Sequence, residues 1–476
     1  MALTPMVFER FGGLNLSSDP GQVGLEAATD TLNVDLAPDR SRVFTRAGSA
    51  QIATLASSTC VALLPTTLSG VDYMMSLGKD ATNGIILQRV TSAGVVTTPY
   101  VSGLPADTLG GQLVGFGTPS VTYVVGTTRS SSGYGTHFTY DGTTLSYKSY
   151  IMRFLEVTPQ TNRLVLANFL SAPEGPSTVF FSDAGSPSVF SANNYVNLHP
   201  GDGEEITGMT TWRDLLIVFK ETRAFVFYGE STDSTGKPVF NYRQITLASA
   251  IRSGVSYNRS VATLNGVYFV AVGGVYRTTG GPPVKVSGAL DGALDFSAVA
   301  HISAVSHRVI IQMVGGSHYV YDERSDQWLV WLFPGGTSSP LVSWPRTLSS
   351  GSEIVFASGS SLYKTSDTLT TDAGAAIASR YRTGVSDLGS PAQKVIRELL
   401  IDGSGAPNVS VATDWKTQPA GVPVTLGTSP AVAQGRFRSA VRGRNFRVQF
   451  DATSGAWAVN RFGLMVRSQR PAGLGA

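Results

Sequence analysis

The chain alternates short apolar runs with small polar turns and keeps that rhythm over most of its length. In "GEEITGMTTWRDLLIVFKETRAFVFYGES", residues 215–219 and 224–228 are β-branched and aromatic, and the charged link Lys-Glu-Thr-Arg has hairpin length. Both runs are too continuous for a strand with one wet face. They predict a hairpin buried between two layers or between neighbouring blades.

The same device recurs. "NRLVLANFL" with "STVFFSDAG", "NGVYFVAVGGVYRTTGG", "HRVIIQMVGGSHYVYDERSDQWLVW" and "SEIVFASGSSLYKTSD" each give an apolar run, a turn, and a second run with an aromatic near its end. Two weaker members, from Gly70 and from Val121, extend the series upstream. The starts recur at roughly 40 to 55 residues, the period of propeller blades. The reading is an all-β chain with a β-propeller of six or seven blades over residues 50–372, preceded by an extended N-terminal arm, 1–49. After "TDAGAAIASRYRTG" the pattern becomes four or five alternating strands, the size of a small C-terminal β-sandwich over 373–476. Helix signals are nearly absent, and "GLEAATDTLNVD" near Gly24 is the best short candidate.

Composition sharpens this picture. Charged residues make up 14% of 476 residues and glycine numbers 52, which suits a turn-rich β architecture with a hydroxyl-rich or subunit-covered surface. The net charge of +3 is too small to argue for nucleic acid, but from Arg436 onward eight arginines face one carboxylate, Asp451, so the body is mildly acidic. Cys60 is the single cysteine, which excludes an intrachain disulfide and a cysteine-based metal site and favours folding inside a cell. Glu9 and Arg10 interrupt the start before it reaches signal-peptide length, and no apolar stretch reaches membrane-helix length, so a soluble chain is expected.

Candidate chemistry is sparse. The five histidines show no metal-ligand spacing, and no phosphate-binding glycine loop, nucleophile elbow or zinc-protease helix is present. His318 and Asp322 fall on one face of a hairpin, where an ordinary surface contact is expected. Asp202, Glu204 and Glu205 form an acidic knot in "HPGDGEEI"; without regular ligand spacing, a solvated turn is the plainer reading than a cation site. Asp183 in "FFSDAGSPSVF" is superficially like a sialidase Asp-box, but the spacing is wrong and a turn closing a blade accounts for it better. The six tryptophans are read as packing residues. Arg438, Arg442 and Arg444 fall on one face if their strand is regular, although Gly443 allows a turn there. No catalytic residue, cofactor or metal follows from these patterns.

The phrases "FGGLNLSSDPGQVGLEAATDTLNVDL…FTRAGS", "VFFSDAGSPSVFSANNYVNLHPGDGEEITGMTTWRDLLIVFKETRAFVFYG" and "NGVYFVAVGGVYRTTGG" resemble tail structural proteins of tailed bacteriophages, most closely the β-propeller nozzle or hub of short-tailed phages. The resemblance covers the N-terminal arm and the propeller region. It implies a structural virion protein in the tail, made and assembled in the host cytoplasm, and not an enzyme. It further implies a homo-oligomeric ring, usually a hexamer, below the portal and adaptor, joined to distal tail or fibre proteins, through which double-stranded DNA passes without sequence-specific binding. On that reading Asp202, Glu204 and Glu205 are candidates for the channel wall, which should not hold phosphates. Arg438, Arg442, Arg444 and Arg447 are candidates for the subunit interface, and the arm is a candidate to reach along a neighbour. The alternatives are a host-receptor or glycan-binding tail protein and a propeller hydrolase, the latter requiring paired carboxylates in a pocket.

Overall fold

The computed structural model describes residues 3–468 except 80–84, 102–109, 119–120, 130–133, 159, 171–174, 235–236, 253–257, 259, 306, 315, 335–341, 349–350, 367, 414–423 and 429–433. Seven antiparallel blades form a closed β-propeller. Blades 1, 4, 5 and 6 are four-stranded sheets over residues 59–101, 208–246, 260–285 and 299–331. Blades 2 and 3 share one seven-stranded sheet, because the strand Leu145–Thr158 pairs with Gly135–Tyr140 through its first half and with Arg163–Phe169 through its second. The first strand of each blade touches that of the next, and Val342–Leu348 of blade 7 returns to Thr59–Leu68 of blade 1.

Blade 7 is completed from the other end of the chain. Its strands Val342–Leu348, Gly351–Ser358 and Ser361–Ser366 are joined by Gly48–Thr54, which pairs with Ser361–Ser366. Opening the ring therefore means breaking a ladder of backbone hydrogen bonds, and closure covers the blade faces that an open array would expose. The hairpin at 215–219 and 224–228 is the centre of blade 4, and Ile217, Val218, Phe219, Phe225 and Val226 are fully buried. Continuous apolar runs were needed because each blade is covered on both faces by its neighbours.

The N-terminal segment is extended, as its sequence suggests, but its partners lie within its own chain. Thr4–Phe8 and Val43–Thr45 pair with Ala458–Ser468, and Ala28–Leu32 pairs with Ser379–Thr383. The sandwich is thus woven from both ends of the chain, with sheets of six and five strands. The arm expected to reach a neighbour is held back because Phe11, Val34, Leu36 and Val43 fill the same core as Tyr381, Phe450 and Phe462. The helix expected near Gly24 is a single turn, Pro20–Val23, and the residues after it form a strand because Ser379–Thr383 offers a ladder partner.

Sandwich and propeller share a core. Trp331, Phe333, Phe356 and Tyr363 of blades 6 and 7 belong to the same apolar cluster as the sandwich residues. The Trp331 indole donates to the Val34 carbonyl at 2.9 Å, and the amides of Leu14 and Asn33 donate to the carbonyls of Trp328 and Val330. Gly13 allows this approach, since a Cβ there would lie 2.5 Å from the Trp328 oxygen. Arg46 is buried at the seam, ion-paired with Asp372 and donating to Asn33 and to the Leu332 carbonyl.

Candidate functional site

The acidic knot lies in the loop that leads from blade 3 into the first strand of blade 4, Gly208–Trp212. Lys220, from the link of the blade 4 hairpin, is fully buried, and its ammonium contacts Asp202 at 2.7 and 2.8 Å and the Leu198 carbonyl at 2.9 Å. Arg223 lies 3.7 Å from Asp202 and 3.5 Å from Glu204, and Thr222 donates to Glu204. Glu205 pairs with Arg153 of blade 3 at 2.8 Å, and that guanidinium is stacked 4.2 Å over the Tyr134 ring. Burial pushes the Asp202 carboxyl up, but the Lys220 bond and charge, the Glu204 amide and Arg223 outweigh it, so its pKa falls below the ordinary range.

Three carboxylates and three cations form a compensated staple between two blades. Internal cations match the three carboxylates named as channel-wall candidates, so these do not form a free negative surface. The cation that Asp202 holds in this arrangement is the Lys220 ammonium. Among the described residues no group of three or more His, Cys, Asp or Glu is placed to hold a metal.

A second staple joins the same blades. Arg163 forms a bidentate pair with Glu230 at 2.9 and 2.5 Å, while Phe240 stacks on Phe181 with centroids 3.8 Å apart. Beside it is a small pocket lined by Gln160, Thr161, Asp214, Glu230, Phe181 and Phe240. Glu156, on the same strand as the lining residue Thr158, differs in kind. Burial pushes its carboxyl up to about 7, against hydrogen bonds from the Val157 amide and Thr211 of blade 4.

The C-terminal arginines separate into three environments. Arg438 and Arg442 are exposed on Gln434–Gly443, the edge strand of the six-stranded sheet, and no carboxylate pairs with either among the described residues. Arg444 is exposed in the bend that follows. Arg447 is the correction: it is buried on Phe446–Ala452 in the other sheet, where burial and the charge of Arg382 lower its pKa to about 10, against the pull of Asp30. Burial removes it from any exposed interface on this chain.

His318 and Asp322 do not make the expected surface contact, because both are buried at opposite ends of one strand. Burial lowers the His318 pKa to about 4. Burial pushes Asp322 up, yet hydrogen bonds from His307 and Arg324 and the charge of Arg308 hold it well below the usual range. Asp183 accepts from Ser191 and, at 2.7 Å, from Asn194, bracing a turn at the end of blade 3. Trp212, Trp328, Trp331 and Trp457 are buried packing residues, whereas the Trp344 side chain and Trp415 lie outside the described set. Sequence reasoning missed Lys220, Arg223 and Arg153 as partners of the acidic knot. The signal was available in part, since a lysine following five apolar residues and flanking a tight turn has little access to water.

No protein-family model matches the sequence, and no curated protein matches it. Among solved structures, the chain is similar to BamB from Moraxella catarrhalis at 11% identity, covering 68% of this chain and 97% of that one with a TM-score of 0.38. It is similar to BBS1N, solved in complex with ARL6DN, at 10% identity, covering 69% and 98% with a TM-score of 0.42. It is also similar to the computationally designed Ika8 protein at 13% identity, covering 66% and 99% with a TM-score of 0.34. These likenesses concern the β-propeller alone.

Proposed function

We propose that this chain is a structural subunit of a bacteriophage tail, a nozzle or hub protein that assembles as a ring around the DNA-ejection channel and links the adaptor side to the distal tail. The observation that carries the reading is the phrase-level resemblance of residues in the arm, blade 3, blade 4 and blade 5 to such proteins, set on a fold suited to bearing load. A propeller closed by its N-terminal strand, stapled between blades by Arg163 with Glu230 and Lys220 with Asp202, and fused through a common core to a sandwich is a stiff body. Stiffness is what a channel wall requires. With the acidic knot neutralised internally, the wall of the channel is expected to be near neutral, which equally avoids retaining phosphates.

Cryo-electron microscopy of the particle containing this chain tests the proposal. A sixfold axial ring enclosing a channel wider than duplex DNA is the expected result. A peripheral position away from the tail axis would overturn it and favour host-surface or glycan recognition.

A further inference from the structure

The outward face of the six-stranded sheet has a defined composition. Sheet register aligns Val7, Gly463, Leu400 and Arg436 in one row across four strands, and Pro5, Met465, Glu398 and Arg438 in the next. Val7 is 57% exposed and Leu400 40%, and Gly463 between them leaves an apolar seat, since a Cβ there would only just touch both, at 3.8 Å. Arg436 is held by Glu398 at the edge of this seat, while Arg438, opposite Glu398 in the register, and Arg442 form no ion pair among the described residues. Exposed aliphatic residues flanked by arginine are the make-up of a protein contact surface. A phosphate-binding face needs the charge but not the apolar centre.

A second exposed apolar patch lies on the outer rim of blade 3. Val189 and Tyr195 are each about half exposed. They adjoin an aromatic cluster in which Tyr150, Phe180 and Phe190 meet at centroid distances of 5.2 to 5.5 Å, Val189 preceding Phe190 in the chain and the Tyr195 ring lying 6.4 Å from Phe180. Asp183 borders the patch: its amide donates to the Val189 carbonyl, and its carboxylate accepts from Ser191 and Asn194 but from no cation among the described residues. The sandwich docks on blades 6 and 7, and in a ring of seven the blade farthest from that junction is blade 3.

We infer that the sandwich face of one copy receives the blade 3 rim of a second copy, Tyr195 covering the Gly463 seat and Asp183 facing Arg438 and Arg442. Two different, complementary patches of one chain make a head-to-tail contact, which propagates to a closed ring or an open filament. The inference rests on the ring reading above and supplies the contact that a ring requires.

Cysteine pairing tests it directly on the full chain. Cys60 is the single cysteine and is buried, with burial pushing its thiol up to about 12, so an introduced cysteine is the reactive one. The variants Tyr195→Cys and Leu400→Cys, mixed under mild oxidation, are expected to give a disulfide-linked dimer that neither variant gives alone. Mass photometry of the wild type is expected to show concentration-dependent oligomers, weakened at least tenfold by Arg438→Glu with Arg442→Glu. Oligomers that form without the mixed cross-link, or cross-links within a single variant, overturn this contact and leave the ring reading intact. A monomer at every concentration overturns the contact too, as does duplex DNA binding that the two glutamates abolish. The ring reading itself fails only if the particle shows no ring.

Discussion

The blade 3–4 junction and the outward face of the sandwich are two places where the sequence gathers charge, and the fold treats them in opposite ways. At the junction, Asp202, Glu204 and Glu205 are answered one for one by Lys220, Arg223 and Arg153, with Lys220 fully removed from water. On the sandwich, Arg438 and Arg442 are exposed, and neither forms an ion pair among the described residues. The difference teaches that a charged motif in a sequence has no functional sign of its own. Burial forces pairing, because an isolated ion in a blade interface costs several kcal/mol, whereas an exposed edge strand tolerates free arginines and uses them to resist unwanted strand pairing.

Removing the buried cation breaks this contrast most strongly. Lys220→Met is expected to lower stability by about 3 kcal/mol, because it takes the buried ammonium from the Leu198 carbonyl and from Asp202, which keeps only Arg223 at 3.7 Å as a cation. Adding Asp202→Asn should recover a good part of that loss, and denaturant melts of both variants check it. A pH titration reads the same staple: since the Asp202 pKa is lowered in the folded protein, its contribution is present above the unfolded carboxylate value near 4 and is lost as pH falls through the lower folded value. Wild type and Asp202→Asn should therefore differ at neutral pH and converge in strong acid.

Glu156 sharpens the comparison, being a buried carboxylate whose hydrogen-bond partners are both neutral. With its pKa raised to about 7, the folded state favours the protonated form, so stability declines as pH rises from the unfolded value toward 7. Glu156→Gln is expected to raise stability at pH 8 by on the order of 2 kcal/mol. The gain should vanish by pH 4, as melting curves at both values would reveal. The smallest effect on folding belongs to the exposed face. Arg438→Glu with Arg442→Glu should change monomer stability by within about 0.5 kcal/mol per site, while impairing tail assembly. Normal assembly by that variant would remove the arginines from the interface.

Much of the propeller was legible in the sequence because each blade repeats a local rule. Residues 215–219 and 224–228 announce a doubly covered hairpin by their unbroken apolar runs, and "NGVYFVAVGGVYRTTGG" does the same for Gly266–Ala271 and Gly274–Thr278 of blade 5. The arm was misread in its destination, because Phe11 and Val34 show only that they need a core and not which one. Arg447 was grouped with its exposed neighbours by position alone. A turn at 444–445 carries the chain from one sheet to the other, and the side chain goes inward with it.

The sequence by itself determined the β class, the blade rhythm and the places where charge gathers, since these follow from the period of side chains along a strand and from composition. Tertiary structure alone decided that seven blades close, that the first strand completes the last blade, that both ends of the chain build one sandwich, and which charges are matched. Those outcomes depend on contacts between residues hundreds of positions apart, such as Gly48–Thr54 with Ser361–Ser366 and Arg46 with Asp372. Local patterning specifies what each segment must bury, and only the assembled chain settles against what.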